Sequence, residues 1–392
     1  MREDSKADSA KTISALKKTF REYYFNHSKA VELPLKIEQR EFGYMQFGQA
    51  GMLRHLSFKS MKELDALLVR EAPCDVYCSN AYYRYPAEQP MQAKQWQGAD
   101  LIFDIDGKDL DMPCVASHSY FICSQCGNAS PDENDDQILY SCSFCHSSKA
   151  DYVSIPCNKC IEGSKREVRR LIDFLLVDIG LERSAITLYF SGNNGFHIHI
   201  SDEAHESLEP QARSDLVSYL CGTGFIMEAI GVRKTNTEDS FSIKFPKSGL
   251  AYGWRKRIAD KLKIDMTSAI KLKNIVHQHG GYEGFKREVE KIVKDMGVKI
   301  DPQVTTDIHR VFRMPGTLNS KSGLSKTKCT DLSCFDPFID ACLLGDGLIN
   351  IRTKTQVRLK LKKKIFNISE ESVEIPAYAA VYLMCKGLAQ AN

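Results

Sequence analysis

The segment LIFDIDG at residues 101–107 constrains the fold of this chain more than any other feature. Apolar residues lead to Asp104, and a second carboxylate, Asp106, follows two positions later. Side chains at positions i and i+2 of a strand share a face, so the two carboxylates project together while Ile105 points into the core. Mg²⁺ is held in proteins by a few carboxylates together with substrate phosphates. The segment therefore predicts a strand ending at a divalent-cation site; the alternative is a solvated D-x-D-G turn.

The composition is typical of a globular protein without a membrane segment. The apolar fraction is 43%, and the net charge is only +3 over 392 residues, so a nucleic-acid-binding surface would have to be local. No run approaches the ~18 apolar residues of a membrane span, and the N-terminus lacks the basic-then-apolar order of a signal peptide. The 14 cysteines cluster as C-x-x-C pairs, which favours metal thiolates in a reducing compartment over disulfides. We therefore expect a soluble, cytoplasmic protein.

The order of the patterns predicts an α/β (α+β) protein whose body carries two inserts. Amphipathic helices are predicted at residues 9–25 and 165–181, and a hairpin within residues 40–60. Residues 301–324 are predicted to be extended or in turns. The predicted domains are a catalytic core at residues 1–110, 164–209 and 297–350, a zinc-binding insert at 111–163, a mainly helical insert at 210–296, and a basic and apolar C-terminal segment at 351–392.

A glycine turn followed by histidines forms the second informative stretch, SGNNGFHIHI at residues 191–200. Glycine allows phosphate oxygens to approach backbone N–H groups closely, and the hydroxyl of Ser191 adds a donor beside Gly192. His197 and His199 lie on one face of the following strand, and His197, nearer the turn, is the better functional candidate. The alternative is an ordinary hairpin whose turn requires glycine.

A third carboxylate and a basic cluster follow at residues 301–324. Asp301 precedes a proline, and Arg313 and Lys321 come after it. If Asp301 lay beside Asp104 and Asp106, it would complete a cage for two cations, and the basic residues would hold phosphates bridged by those cations. Asp307 competes for the third position, and Asp-Pro is by itself a common turn former.

Two cysteine pairs have the spacing of a zinc ribbon. Cys123 and Cys126 form the first C-x-x-C pair, and Cys142 and Cys145 form the second after fifteen intervening residues. Two such knuckles can close a tetrahedron of thiolates around one zinc ion. Reduced, unpaired cysteines are the alternative. Core burial is expected for the scattered cysteines outside these pairs.

Together, these stretches resemble the catalytic (small) subunit of the archaeal and eukaryotic DNA primases, and the archaeal branch fits best. FDID is similar to the metal-binding pair of that family, SGNNGFHIHI to its nucleotide-binding turn, and DPQVTTDIHRVFRMPGTL with KSGL to its third motif. REFGYMQF, MLRHLSF, YCSNAYY and FLLVDIG extend the resemblance over residues 23–324 in the family's order. The implied fold is a primase-type catalytic core of mixed sheets flanked by helices.

The resemblance implies template-directed synthesis of a short RNA, or mixed, primer on single-stranded DNA. It implies two catalytic Mg²⁺ or Mn²⁺ ions held by Asp104, Asp106 and Asp301. The residues implied to cradle the nucleoside triphosphate are Ser191, Gly192, His197, Arg313 and Lys321. A primase of this family also resembles half of a heterodimer, so the implied partners are a large subunit and the DNA template, with no membrane.

The resemblance also implies a second structural zinc site. The family's own knuckle is similar to C-x-n-H followed by C-x-x-C just before the helix at Lys165. Cys114, His118, Cys157 and Cys160 match that pattern, with the ribbon inserted between its halves. His146 could replace a ligand in either site. Four protein ligands leave no open position, so both sites are expected to be structural.

Some residues depart from the family pattern or have more than one interpretation. Asn194 stands where relatives often carry arginine, so one triphosphate contact is lost or supplied elsewhere. Asn319 stands where many carry histidine, which argues against a base-like or phosphate-binding role at that position. Arg40 and Arg54 could contact nucleotide or template, or could be ordinary surface arginines. The basic residues 352–364 could bind template or form a solvated strand face. The apolar residues 375–388 are better explained by a helix packed in the core than by a docking surface.

Three other functions compete with the primase interpretation. A primase-like repair polymerase would extend primers well but start chains poorly, and a metal-dependent nuclease would also use clustered carboxylates. A zinc-ribbon nucleic-acid-binding protein with an inactive site would require the loss of a carboxylate, and none of the three is lost. The nuclease alternative gives no reason for a triphosphate-binding turn.

Overall fold

The chain forms a mixed α/β structure that divides into two compact units. The computed structural model describes residues 2–132, 140–235, 240–245, 252–266, 268–369 and 372–392. The first unit comprises Met1–Lys165, Ile186–Leu208 and Asp307–Asn392, and the second comprises Arg166–Ala185 and Glu209–Thr306. Within the described residues, no helix combines the length and apolar character needed to cross a membrane. The finer four-part division expected from the sequence stays a prediction.

The helices vary from a single turn to seven turns. They are α1 Arg2–Asn26, α2 Met61–Glu71, α3 Asn158–Asp173, α4 Glu203–Glu206, α5 Pro210–Cys221, α6 Gly253–Leu262, α7 Ala269–Gln278, α8 Gly281–Met296, α9 Pro302–Thr306, α10 Pro337–Asp340 and α11 Ala377–Cys385.

The strands are short, at most six residues long. They are β1 Phe42–Met45, β2 Leu53–Leu56, β3 Asp75–Ser79, β4 Ala81–Tyr83, β5 Trp96–Ala99, β6 Leu101–Ile105, β7 Ser119–Cys123, β8 Ala129–Pro131, β9 Ala150–Ser154, β10 Ile186–Phe190, β11 Phe196–Ile200, β12 Val232–Lys234, β13 Phe241–Ile243, β14 Val311–Arg313, β15 Thr327–Lys328, β16 Leu348–Thr353, β17 Val357–Leu361, β18 Lys364–Ile368, β19 Ser372–Pro376 and β20 Ala389–Ala391.

Two four-stranded sheets position the predicted site residues of the first unit. One has the order β15-β10-β11-β6, and the other has the order β14-β3-β1-β2. Phe312 on β14 lies between the sheets, with its ring centroid 5.8 Å from that of His197 and 6.3 Å from that of His199. The hairpin predicted within residues 40–60 is confirmed by the antiparallel pairing of β1 with β2. The strand predicted after the glycine turn is confirmed as β11, which pairs with β10.

The C-terminal segment adds a hairpin, a small sheet and a buried helix to the first unit. In β17, Val357, Leu359 and Leu361 are buried while Arg358 and Lys360 are exposed, which is the alternation of a strand with one solvated face. Each described residue of α11 from Ala377 to Met384 is buried. The prediction that residues 375–388 contain a helix packed in the core is therefore confirmed.

The second unit is mostly helical, as predicted for residues 210–296, but it also contains the hairpin β12–β13. Its amphipathic helix α8 buries Phe285, Val289 and Ile292. The prediction that residues 301–324 are only extended or in turns is wrong at its start, because Pro302–Thr306 forms a helical turn. The fixed φ of proline suits the first position of a helix, a local signal that the Asp-Pro turn interpretation overlooked.

Candidate active site

Strand β6 carries the predicted metal-binding carboxylates to the edge of its sheet. Asp104 is the fourth residue of the strand, and Asp106 follows its end. Both side chains are partly exposed, whereas Phe103 and Ile105 are fully buried. The side chain of Asp106 accepts a hydrogen bond from the backbone N–H of Lys108 and lies 3.3 Å from the Lys108 ammonium. The strand therefore presents hard oxygen ligands at a surface that solvent reaches.

The pairing of β11 with β6 places His197 directly opposite Asp104. The imidazole Nε2 lies 3.6 Å from Asp104 Oδ1, slightly beyond hydrogen-bond distance. Burial, together with the positive charges of Lys326 and Arg313, holds the pKa of His197 well below its usual range. The imidazole is therefore neutral at pH 7, and it can face a phosphate oxygen or a carboxylate with one ring N–H.

A buried lysine, which the sequence patterns did not single out, lies behind the histidines. Lys326 is inaccessible to solvent, and its Nζ is 3.2 Å from Nε2 of His199. Burial and, to a smaller extent, the nearby Arg313 lower the pKa of Lys326 to about 7. Lys326 lies two residues beyond the KSGL motif, and nothing in the local sequence distinguishes it from a surface lysine. Its position results from the long-range pairing of β15 with β10.

The two largely buried histidines of β11 should make the stability of the chain depend on pH. Burial lowers the pKa of both His197 and His199 well below the ordinary value, which is about 6.5 in an unfolded chain. The unfolded state therefore binds protons that the folded state does not, and stability is lost as the pH falls below about 6.5. Each histidine contributes a slope of up to ~1.4 kcal/mol per pH unit in that window.

This slope can be measured by urea unfolding at pH 7.5, 6.5 and 5.5. We expect His199→Asn to make the loss of unfolding free energy below pH 6.5 shallower than in the wild type. His279→Asn, at an exposed position, is the matched control and should leave the slope unchanged. Equal slopes for His199→Asn and the wild type would show that the lowered pKa of His199 does not contribute to the pH dependence of stability.

The glycine turn at residues 191–195 packs tightly against the end of β6. Gly192 has a φ of +88°, a left-handed conformation that favours glycine. At Gly195, an added Cβ would lie 2.2 Å from the backbone oxygen of Ile105 and 3.0 Å from Cα of Asp106. The hydroxyl of Ser191 accepts a hydrogen bond from the N–H of Gly195 at 3.2 Å. The turn and the carboxylate strand are therefore held at backbone contact distance.

Gly195→Ala should separate this turn from β6. Because the added Cβ would clash with backbone atoms, which cannot move aside as a side chain can, we expect the free energy of unfolding to fall by about 1–3 kcal/mol. Gly345→Ala is the matched control, since a Cβ there meets nothing within 4 Å and should change stability by less than about 0.5 kcal/mol. Thermal or urea unfolding of both variants measures the difference, and equal stabilities would contradict the predicted contact.

The loop at residues 319–326 supports the glycine turn from the other side. Ser322 donates from its hydroxyl to the backbone oxygen of Gly192, and Asn319 donates from Nδ2 to the oxygen of Ser191 at 3.4 Å. Asn319 also accepts from the backbone N–H of Lys321 at 2.9 Å. Asn319, one of the departures from the family pattern, is thus buried, and its side chain links the turn to the loop through these two hydrogen bonds.

Arg313 is ion-paired with Asp75, and its side chain is only 10% exposed. Its guanidinium also donates to the backbone oxygen of Leu318 at 2.9 Å. The same Asp75 accepts hydrogen bonds from the backbone N–H and the hydroxyl of Ser320. Arg313 therefore anchors the loop that carries Lys321, a connection that sequence reasoning missed because Asp75 lies 238 positions away.

The other arginines considered from sequence have carboxylate partners. Arg40 is buried and ion-paired with Asp100 at 2.7 Å, so the ordinary-surface interpretation of this residue is wrong. Arg54 pairs with the buried Glu41 at 2.9 Å. Arg40 therefore belongs to a buried polar network, whereas the partly exposed side chain of Arg54 pairs with a buried carboxylate from the surface.

The two candidates for the third carboxylate lie in different units. Asp301 belongs to the second unit, where its side chain accepts from the N–H of Gln303 at 2.9 Å at the start of α9. Asp307 belongs to the first unit and accepts from the N–H of His309 at 2.9 Å. The position of Asp301 beside the carboxylate pair stays a prediction.

A pocket of about 640 Å³ opens beside Asp106 within the first unit. Its walls combine the end of β6, the glycine turn, strand β9 and the end of α11. The polar residues that line it include Asp106, Lys108, Asn193, Asn194, Lys321 and Lys386. Two carboxylates, those of Asp106 and Asp151, thus share a space of nucleotide size with several ammonium and amide groups. Of the predicted phosphate-binding residues, Lys321 lines this pocket.

The four cysteines of the predicted ribbon converge in space. Cys123, Cys126, Cys142 and Cys145 bring their sulfur atoms within 4.8 Å of one another. The sulfurs of Cys123 and Cys145 are 3.5 Å apart, as are those of Cys126 and Cys142. This spacing is far longer than a disulfide bond and is close to the roughly 3.8 Å edge of a tetrahedron with zinc–sulfur bonds of about 2.3 Å. The donor set fits zinc.

The second predicted ligand set also converges. Cys114, His118, Cys157 and Cys160 bring their ligand atoms within 4.8 Å. The sulfur of Cys160 lies 3.5 Å from that of Cys114 and 3.3 Å from Nε2 of His118. The other ring nitrogen of His118 lies 3.1 Å from the hydroxyl of Ser154, which orients the imidazole. Each cluster therefore contains four potential ligands without His146, so a substitute ligand is not needed.

Comparisons with known proteins point to a single family. The model of one protein family, described as DNA primase small subunit, matches residues 150–330. A protein named DNA primase small subunit PriS from Nitrosopumilus maritimus is 40% identical over 96% of this chain and 98% of its own length. A protein of the same name from Cenarchaeum symbiosum is 39% identical over 97% of this chain and 99% of its own length. Another, from Archaeoglobus fulgidus, is 31% identical over 95% of this chain and 96% of its own length.

Proposed function

This chain belongs to the DNA primase small-subunit family, and from that premise we propose that it is the catalytic subunit of a DNA primase. It would synthesise short RNA, or mixed, primers on single-stranded DNA for replication by joining nucleotides in the order that the template directs. The observation that carries this proposal is the pocket of about 640 Å³ that is lined by both Asp106 and Lys321. A carboxylate for cations and ammonium groups for phosphates are what a nucleotidyltransferase needs in one space.

Asp104 and Asp106 would hold two divalent cations, with Asp301 as the third carboxylate. The fit to Mg²⁺ or Mn²⁺ is supported by the hard oxygen donors of Asp104, on β6, and Asp106, just after it, and by their partial exposure. Bound cations would activate the 3′-hydroxyl and neutralise charge on the triphosphate. The imidazole of His197 would lie beside Asp104 without repelling the cations, because it carries no charge at pH 7.

The glycine turn and the following basic loop would hold the triphosphate. Ser191 and Gly192 would offer the hydroxyl and backbone N–H groups, and Lys321 would add positive charge. His197 can donate one ring N–H to a phosphate oxygen. Arg313 would act through its charge and by holding Asp75, which in turn fixes Ser320 next to Lys321.

Two zinc ions would stabilise the cysteine-rich segment. One would be held by Cys123, Cys126, Cys142 and Cys145, and the other by Cys114, His118, Cys157 and Cys160. Four ligands from the protein would leave no position for substrate, so both ions would be structural. Cys160 also lines the pocket beside Asp106, so the second site would help to shape the nucleotide pocket.

We propose that the chain works with a primase large subunit at the replication fork, in the cytoplasm of an archaeal-type cell. The support is the name of the relatives, which are called small subunits and come from archaea. The single-stranded DNA template would be the other macromolecular partner.

A de novo synthesis assay tests this function. The full-length chain, alone and with the large subunit from the same genome, is incubated with unprimed single-stranded DNA whose 3′ end is blocked, Mg²⁺ or Mn²⁺, and nucleotides labelled on the γ-phosphate. A γ-label survives only at the 5′ end of a newly started chain, so we expect labelled oligomers from a primase. Omission of the divalent cation should abolish them.

Each competing function gives a different result in the same assay. A primase-like repair polymerase would incorporate α-labelled nucleotides only after a primer is added, and a nuclease would shorten the template. A nucleic-acid-binding protein without activity would retard the DNA, leave its length unchanged and give no labelled oligomers. Any of these three results, obtained with the large subunit present, would overturn the proposed function.

A further inference from the structure

We propose that Lys386, from the end of helix α11, is a further nucleotide-binding residue that contacts the polyphosphate in the pocket beside Asp106. This inference rests on the proposed function, and it adds a residue that lies outside the carboxylate strand, the glycine turn and the basic loop. The C-terminal segment would then supply part of the substrate site in addition to its part in the core.

The position of Lys386 is the first support. Lys386 lines the same pocket as Asp106, Lys108 and Lys321. It follows a helix whose residues are almost all buried, so its backbone is fixed by core packing. Its ammonium donates a hydrogen bond to Oδ1 of Asn193 in the glycine turn at 2.9 Å. The side chain therefore reaches the turn that is predicted to cradle the triphosphate.

The burial and the partner of Lys386 are the second support. The residue is only 6% exposed, and a buried ammonium is costly unless it is paired. Asn193 is a neutral partner and satisfies one of the three N–H donors. Among the described residues, no carboxylate lies within salt-bridge distance of Lys386. The burial, opposed by the nearby thiol and carboxylate groups, lowers the pKa of Lys386 to about 8, so the ammonium form still dominates at pH 7.

The charge of the pocket is the third support. Lys321 and Lys386 interact unfavourably with each other, because the charge of Lys321 lowers the pKa of Lys386. Like charges that share a pocket are destabilising until an anion enters. A polyphosphate with its cations on Asp106 would satisfy both lysines and the carboxylate at once. The pocket therefore suits a nucleoside triphosphate better than it suits a neutral ligand or a nucleoside.

The chemistry of the glycine turn agrees with this assignment. Positions 193 and 194 are both asparagine, so the turn itself carries no cation toward the phosphates. The side-chain oxygen of Asn194 is buried without a hydrogen-bond partner among the described residues. Through its hydrogen bond to Asn193, Lys386 brings a positive charge beside Asn194.

The test measures nucleotide binding directly, so it does not depend on priming. Binding of ATP, ADP and AMP to the full-length chain is measured with Mg²⁺ by isothermal titration for the wild type and for Lys386→Met, Lys386→Gln and Lys386→Arg. We expect Lys386→Met to weaken ATP binding about ten- to a hundredfold, the usual effect of losing a charge-assisted hydrogen bond. The loss should be smaller for ADP and absent for AMP.

Two variants separate phosphate binding from a structural role. Glutamine keeps a donor for Asn193 but has no charge, so a structural role predicts that Lys386→Gln restores ATP binding, whereas phosphate binding predicts that it does not. Lys386→Arg keeps the charge and should recover at least part of the affinity. Lys18→Met, which removes an exposed lysine of α1, is the matched control and should bind ATP like the wild type.

Several results would overturn the inference. They are unchanged ATP binding in Lys386→Met, an equal loss for ATP and AMP, and full recovery in Lys386→Gln. The thermal midpoint of each variant shows whether it has folded, and Lys386→Met should be at least as stable as the wild type because a buried charge is removed. Wild-type ATP binding without primer synthesis would instead count against the proposed function alone.

Discussion

Asp106→Asn should reduce primer synthesis at least about a thousandfold while leaving the fold and the zinc content unchanged. Asparagine retains a side-chain oxygen that can accept from the N–H of Lys108, as Asp106 does, so the turn after β6 should be preserved. The negative charge that would hold a divalent cation is lost, and metal stabilisation of a phosphoryl-transfer transition state contributes several kcal/mol. Each 1.36 kcal/mol corresponds to a tenfold change in rate.

This prediction is checked with the γ-label assay, together with circular dichroism and zinc analysis of the same preparation. Asp109→Asn is the matched control, because Asp109 is exposed and lies three residues further along the same turn; it should prime at close to the wild-type rate. Wild-type activity in Asp106→Asn would show that the metal assignment is wrong. A similar loss in both variants would indicate that the charge of the whole turn, and not a metal ligand, matters.

Cys142→Ser should remove one zinc ion and unfold the ribbon locally. Structural zinc sites contribute apparent binding free energies of about 10–16 kcal/mol, more than the small strands β7, β8 and β9 could replace by their own packing. Backbone N–H groups, chiefly that of Cys145, lower the pKa of the Cys142 thiol to about 6, so the thiolate that binds metal is favoured at neutral pH. Serine cannot supply that thiolate.

Zinc per chain, measured by mass spectrometry of the metal, should fall from two to one in Cys142→Ser, and trypsin should cut within residues 119–154. Cys160→Ser should also leave one zinc ion, but it should weaken nucleotide binding as well, because Cys160 lines the pocket beside Asp106. Cys334→Ser is the control: this cysteine is exposed and belongs to neither cluster. Two zinc ions in Cys142→Ser, or none in the wild type, would contradict the assignment.

The spacing of cysteines along the chain was enough to predict one of the two zinc clusters but not the other. The ribbon followed from two C-x-x-C pairs, since such pairs place two sulfurs on one tight turn whatever the surrounding fold is. The second set required the resemblance to a family, because its halves are separated by the ribbon and the distance between Cys114 and Cys157 in the sequence suggests no contact. The convergence of all eight ligands depends on the pairing of β7 with β9, which brings the two halves together.

Local sequence determined the parts of this protein whose geometry depends on neighbours along the chain. The alternation of LIFDI placed the carboxylates at the end of a strand, the glycines of the turn specified a close backbone approach, and the apolar residues after position 375 specified a buried helix. Each of these depends on periodicity, backbone freedom or burial of a short segment, which are properties that a few consecutive residues possess on their own.

Tertiary structure alone decided which side chains meet in the pocket. Lys386 reaches Asn193 across 193 positions, and Arg313 reaches Asp75 across 238, and neither pair has a local signal. Arg40, Lys326 and Lys386 carry no local signal of burial in the sequence, yet all three are buried. The physical reason is that a buried charged group is stabilised by partners on distant strands and helices. Packing of the whole core selects those partners, and the residues next to the charged group in the sequence do not.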